Sequence, residues 1–385
     1  MGIYTFPFLE DPMMRTAFGD ESLPMLGFGM MRLPLKGDGS IDEERTGRMV
    51  AEAMDAGVNY FDTAWGYHDG NSELVAGRIL SKYPRGSYYL ASKFPGYDVS
   101  NMGKTAEIFE KQLEKCQTEY FDFYLVHNVF DLNIDSYLDP GYGTLEALRE
   151  ERRKGRIRHL GFSAHGSVET IERFLEMYGE DMEFIQLQVN YVDWNFQDAR
   201  AKVELARRHG LPVWVMEPIR GGKLARVGAD VEARIGETVP GASPVEAAFR
   251  FVQSIDGVKV VLSGLSDEDQ TAQNISIFSK DGRLSDEEFD ALVKIGDGIV
   301  SSDTVPCTAC NYCKSKCPKG LDIPRLLELY NEHRFTNGGF FGPAFVGSMP
   351  EDKRPSACIG CGACEKVCPQ GIRISDAMRD FVRRL

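Results

Sequence analysis

No run of apolar residues in this sequence is long enough to span a bilayer, and the N-terminus lacks the basic stretch and apolar core of a secretory signal. Both absences point to a cytoplasmic protein with no membrane partner. Positive charge is in deficit: 44 Lys and Arg face 58 Asp and Glu, a net charge of -14, which argues against nucleic acid or an anionic surface as the main partner. No Gly-x-Gly-x-x-Gly turn follows an early strand, so a doubly wound dinucleotide fold is disfavoured. Cysteine is almost missing from the first 306 residues, where Cys116 stands alone in a helical stretch and reads as a buried thiol. The other eight come later, and in a reducing compartment that clustering indicates metal rather than disulfides.

The chain has 385 residues, of which 43% are hydrophobic and 26% charged, about right for a large barrel plus a small module. Residues 1–20 show no clear period and predict a loose arm with a small hairpin closing one barrel end. Beyond them strand and helix signals alternate. Strands are predicted at 23–29, 58–61, 88–91, 121–126, 157–162, 184–189, 212–216 and 258–262. Ser40 with Glu43 suggests a capping box, and Ser243-Pro244-Val245-Glu246 is a strong helix start. Further helices are expected from Ser266 and Ser285. Eight strand–helix units over about 300 residues have the rhythm of a TIM-type (β/α)8 barrel. The expected domains are a barrel over 1–300, a linker over 301–306 and a cysteine-rich module over 307–385.

The barrel is organised around Asn59-Tyr-Phe-Asp62-Thr-Ala-Trp-Gly-Tyr67. An acid where a strand ends, with a phenol just after it, is an odd thing to build for stability alone, and a barrel's chemistry lies at the C-terminal ends of its strands. Two later strands end at Ser92-Lys93 and at His127. Taken singly, Asp62 could be a strand-end cap, Tyr67 a wall aromatic, Lys93 a solvated charge and His127 a core histidine. Together, at strand ends that a barrel gathers into one ring, they form a constellation.

Asn59–Tyr67, Ala91-Ser-Lys93-Phe and Tyr124-Leu-Val-His127-Asn resemble the aldo-keto reductase family in the identity, order and spacing of Asp, Tyr, Lys and His, over about residues 15–300. The resemblance implies a nicotinamide cofactor, NAD(H) or NADP(H), and a small-molecule carbonyl substrate. A hydride reaching a carbonyl carbon leaves charge on the oxygen, which needs a proton and a donor. Tyr67 is the expected acid and His127 the orienting donor. Lys93, held by Asp62, is expected to lower the phenol pKa, and two units need only about 2.7 kcal/mol.

The barrel's phosphate position lies in the loops after strands seven and eight. Here those carry Glu217-Pro218-Ile219-Arg220-Gly221-Gly222-Lys223 and Ser263-Gly264, with the free N–H groups of a helix opening at Ser266. Alone, Gly221-Gly222 would read as a plain turn. By resemblance, Ser163 and Gln186 hold the nicotinamide amide, Met216 stands where an aromatic often stacks, and Asn274 lies near the adenine. Met31, in the turn Gly29–Arg32, and Gln270 complete the candidate cofactor contacts. Ala164 stands where an asparagine is common. No Lys or Arg occurs from 262 to 274, where many members clamp the 2′-phosphate, so NADH is favoured.

The tail reads Cys307-x2-Cys310-x2-Cys313-x3-Cys317-Pro and Cys358-x2-Cys361-x2-Cys364-x3-Cys368-Pro, the run of bacterial two-cluster ferredoxins used twice. It implies two 4Fe-4S clusters with interleaved ligands, one on Cys307, Cys310, Cys313 and Cys368, the other on Cys358, Cys361, Cys364 and Cys317. Zinc sites usually pair two short hooks instead. Ile323–Phe335 is periodic as a helix, as in helical ferredoxin modules, and Asn337–Pro350 reads as a loop. Hydride transfer moves two electrons together, whereas clusters pass them singly. Three arrangements therefore stand open: a reductase whose clusters serve docking, sensing or rigidity; a flavin in the barrel feeding the clusters; or an electron carrier for a ferredoxin or flavoprotein partner, with the barrel catalytically idle.

Overall fold

The computed structural model describes residues 13–305, 307, 313–336, 338, 339, 341–368 and 370–385. Its first unit ends at Val293 and its second begins at Lys294.

In the first unit, an antiparallel hairpin pairs β1 (Arg15–Phe18) with β2 (Glu21–Pro24). The barrel strands are β3 (Leu26–Gly29), β4 (Tyr60–Asp62), β5 (Tyr89–Phe94), β6 (Phe121–Val129), β7 (Ile157–Ala164), β8 (Phe184–Gln188), β9 (Val213–Met216) and β10 (Val258–Gly264). They run parallel and close through β10 against β3. Most are buried on both faces, which is why they read as near-continuous apolar runs rather than as alternating ones. The predicted strand 23–29 is two strands. Pro24 ends the hairpin, and Met25 turns the chain into the barrel with its N–H on Met14 O.

The hairpin seals the barrel at the N-terminal ends of its strands. Phe18 lies 5.1 Å from Trp214, 5.8 Å from Phe123 and 6.4 Å from Phe184, ring to ring. Those rings join Leu23, Tyr60, Leu125 and Val260 in one core cluster. Thr16 Oγ1 donates to Lys259 O at 2.8 Å, fixing the plug to β10.

Two helix starts differ from expectation in detail. Asp42, not Ser40, caps the helix Glu43–Asp55, because Asp38 takes both the Ser40 hydroxyl and its N–H. Asp267, not Ser266, caps Glu268–Phe278. The capping box at Ser285 is reciprocal: Ser285 Oγ accepts from Glu288 N, and Glu288 Oε2 accepts from Ser285 N. Ser301–Asp303, read as the start of a linker, continue the helix Asp286–Asp303, since nothing in that run breaks the backbone ladder before Pro306.

The second unit packs helices Ile323–Phe335, Phe341–Ser348 and Ile374–Arg384. The Tyr330 ring packs tilted against Phe381 at 5.7 Å, and its hydroxyl donates to Asp380 Oδ2 at 2.8 Å. Phe341–Ser348 was expected to be loop. Its Phe345 and Val346 are buried, and Gly342 passes so close to His333 that a Cβ there would lie 3.0 Å away. Burial against a neighbour thus outweighs its glycine content.

His159 ties the hairpin to the barrel. It stacks on Phe123, with Nδ1 2.8 Å from Glu183 Oε2 and Nε2 3.5 Å from Glu21 Oε1 on β2. Burial alone would lower its pKa, but the hydrogen bonds and charges of Glu183 and Glu21 outweigh that and raise it. The tie is therefore at full strength below the unfolded value of about 6.5 and is lost as pH rises through the higher folded value. Urea titrations of wild type and His159→Gln should show a stability gap that is largest below pH 6.5 and shrinks as pH rises.

Candidate active site and cluster site

Asp62, Tyr67, Lys93 and His127 meet at the C-terminal mouth of the barrel. Lys93, wholly buried on β5, donates to Asp62 Oδ1 at 2.6 Å and to Thr63 O at 2.8 Å, and its ammonium lies 3.5 Å from the Tyr67 hydroxyl. The Tyr67 ring is 6.0 Å from the His127 ring and nearly perpendicular to it. The Tyr97 ring also lies edge-on to His127, at 5.1 Å.

The electrostatics differ from expectation at one point. Burial first, then the charges of Asp62 and Glu217, lift the Tyr67 phenol well above its ordinary range. The Lys93 ammonium, already committed to Asp62, does not outweigh them. Tyr67 therefore stands as a neutral phenol, a proton donor rather than a phenolate. Burial, with Lys93 and His165, holds His127 well below the usual histidine range, so its ring is neutral too.

Behind this group lies a buried polar network that the sequence did not reveal. Glu73, fully enclosed, accepts from Ser92 Oγ and Gln112 Nε2 at 2.6 Å each and from Lys115 Nζ at 2.7 Å. Gln112 Nε2 also reaches Lys93 O at 3.0 Å, which fixes the end of β5. Phe94, at the end of β5, is wholly buried, and Trp194 packs edge-on to Phe251 and Phe289.

Ser163 and Gln186 are register partners on β7 and β8. Gln186 Oε1 is buried with no partner among the described residues. Such an orphan is what a ligand N–H would satisfy, so the donor set fits a nicotinamide carboxamide. Met216 closes β9. After it, Glu217, Arg220, Gly221 and Gly222 all take positive φ. Arg220 Nε clasps both carboxylate oxygens of Asp193 at 3.0 Å, and Asn190 joins Asp193 to Glu217 O. Pro218 is buried within this loop, with Ile219 and Lys223 at its partly covered edge.

The helix N-terminus near Ser266 is less open than expected. Gln270 Oε1 accepts from Ser266 N, and Asp267 accepts from Gln270 N. Asn274 is buried, with Nδ2 on Ser263 Oγ at 2.9 Å, bracing the loop. Met31 is about half exposed at the rim. Its neighbour Arg32 was missed. Its side chain lies over Gly264, beside Gly221, and reaches Glu217 at 3.4 Å. The signal was topological, since loop one adjoins loop eight when a barrel closes.

In the second unit, Cys317, Cys358, Cys361 and Cys364 line one recess. This is the interleaved set inferred from the spacing. Among the described residues, no three His, Cys, Asp or Glu side chains close on a point suited to a single ion. Four thiols lining one recess are the donor set that a 4Fe-4S cluster takes. Burial chiefly pushes the Cys364 thiol up to about 11, so a thiolate there needs the charge of bound iron. Cys307, Cys313 and Cys368 are described, whereas Cys310 lies outside the described residues.

Fold and site together define a barrel oxidoreductase with an iron–sulfur module. The chain belongs to the aldo/keto reductase family, a family of NAD(P)-dependent oxidoreductases, whose profile matches residues 25–297; a 4Fe-4S dicluster domain matches 306–372. Its cofactors are accordingly a nicotinamide dinucleotide and 4Fe-4S clusters. It is 26% identical over 204 residues to the NADH-specific methylglyoxal reductase of Escherichia coli (strain K12), covering 49% of this chain but only 60% of that protein's length. An aldo-keto reductase of Mycobacterium avium (strain 104) is 26% identical over 288 residues, 73% of this chain and 90% of the relative. The holo structure of aldo-keto reductase AKR11C1 from Bacillus halodurans superposes with a TM-score of 0.62 at 26% identity, covering 74% of this chain and 96% of that one. No helix among the described residues is long and apolar enough to cross a membrane.

If the cysteine runs are interleaved, Cys317→Ser and Cys358→Ser should lose the same cluster. Each should retain about half of the wild-type iron and the same remaining electron paramagnetic resonance signal. Different remaining signals would show that the runs bind separately.

Proposed function

We propose that the chain reduces an aldehyde or ketone with NAD(P)H, or runs the reverse alcohol oxidation, at the Asp62–Tyr67–Lys93–His127 site. The observation that carries this reading is the enclosed Lys93 ammonium, within reach of both Asp62 and the Tyr67 hydroxyl. The nicotinamide, when bound, supplies or accepts the hydride. Tyr67 gives its proton to the substrate oxygen. As it does so, charge develops on a phenol oxygen 3.5 Å from the ammonium. At an effective dielectric near 20 that contact is worth roughly 4–5 kcal/mol, less the share already taken by Asp62. His127, neutral, offers an N–H that orients the substrate oxygen without adding charge. Ser163 and Gln186 hold the carboxamide, and Met216 packs on the ring. The 217–223 loop, Ser263, Gly264 and Arg32 surround the phosphates. NADH is favoured by the absence of Lys and Arg from 262 to 274 and by the NADH-specific relative.

A second role follows for the clusters, served by a ferredoxin or flavoprotein partner in the cytoplasm. Cys361 is exposed at the recess rim beside Ile359, which is 61% exposed, so a cluster there has an edge open to a one-electron partner.

Tyr67→Phe should lower kcat for carbonyl-dependent NAD(P)H oxidation by about 10²–10⁴-fold while cofactor affinity stays near wild type. Because His127 is already neutral, wild-type kcat should also stay flat as pH falls through 6.5. A Tyr67→Phe enzyme with undiminished turnover would sink the assignment.

A further inference from the structure

We infer that Asn128 is an additional cofactor-binding residue whose side-chain oxygen accepts an N–H of the nicotinamide carboxamide. The inference rests on the nicotinamide reading above and assigns one more contact to it.

The argument starts from strand register. β6 and β7 pair Val126 with Phe162, and then Val129 with Ala164. Two residues, His127 and Asn128, therefore stand opposite the single residue Ser163. That is a β-bulge, a device found beside active sites because it re-aims side chains. Phe123 and Leu125 face the barrel core, so pleat alternation sends His127 inward as well. On β8, Phe184 faces the core and Gln186, two residues on, shares that face with its partner Ser163. A bulge can bring Asn128 to that inward face, where an unbulged strand would have turned it toward the helices.

Asn128 is held firmly in that position. It adopts φ +57°, which asparagine tolerates better than most residues. Its N–H donates to Ser163 Oγ at 2.8 Å, and its carbonyl accepts from Asn133 Nδ2 at 2.8 Å. Yet its side-chain Oδ1 is buried and has no partner among the described residues. Gln186 Oε1 is orphaned in the same way. Two buried acceptors left so cost free energy unless a ligand supplies two donors.

A primary carboxamide does so. Its NH₂ carries two hydrogens, one for Gln186 and one for Asn128, and its C=O accepts one bond. Ser163, whose oxygen already accepts from Asn128 N, retains its own O–H to give. Ala164, next in the chain, has no polar group to contribute.

The test measures affinity on the full chain with its clusters loaded. Asn128→Gly removes the side chain and keeps the left-handed backbone available. Asn128→Asp keeps an acceptor oxygen. Binding of NADH and of reduced 3-acetylpyridine adenine dinucleotide, which has a methyl where the amide has NH₂, is followed by dihydropyridine fluorescence. Asn128→Gly should weaken NADH roughly tenfold and leave the acetylpyridine analogue unchanged, while Asn128→Asp stays near wild type for both. Equal losses for both ligands, no loss for either, or a rise confined to the carbonyl KM would overturn the assignment. Wild type that binds neither dinucleotide would instead bring down the function proposed above, and this contact with it.

Discussion

The barrel's mouth depends on one enclosed ion pair. Lys93 and Asp62 sit 2.6 Å apart with almost no solvent contact. Removing two charges from water costs several kcal/mol per ion, and attraction alone seldom returns it. Here the remaining ammonium hydrogens find Thr63 O and the Tyr67 oxygen, so the charge is satisfied on three sides. The Glu73–Ser92–Gln112 network then holds β5 from behind, and Tyr124 adds its hydroxyl to Gln112 Oε1. A side chain so constrained cannot drift, and the neighbouring phenol inherits a fixed distance to a positive charge.

That arrangement gives the electrostatics a particular form. Lys93 does not make Tyr67 acidic at rest, because Asp62 has neutralised it and burial favours the uncharged phenol. The ammonium matters as the proton leaves, when negative charge appears beside it. The site is built for the charge distribution of the reaction rather than for that of the resting state, which is the economical way to lower a barrier.

How much of this was readable in advance differed by kind of residue. Asp62, Lys93 and His127 announced themselves by falling at the ends of apolar runs, and Tyr67 by its place in the following turn. The grouping of Cys317 with Cys358, Cys361 and Cys364 around one recess was legible because cysteine spacing is an imprint of cluster geometry. Arg32 and Asn128 were not legible. One depends on loop one meeting loop eight, and the other on a register slip of one residue, and neither leaves a local pattern. The cap at Asp42 was misplaced by two residues because Asp38 competes for Ser40. The helix Phe341–Ser348 was missed because burial, not propensity, forms it.

The plug at the barrel floor bears on how the chain is made. Thr16 bonds to a carbonyl 243 positions further along, and β3 pairs with β10 across a similar gap. During synthesis, which proceeds from the N-terminus, the cylinder cannot shut until β10 has left the ribosome. Every cysteine of the two runs emerges after that moment. Barrel closure thus draws on no residue of either cysteine run, so iron can be inserted after it.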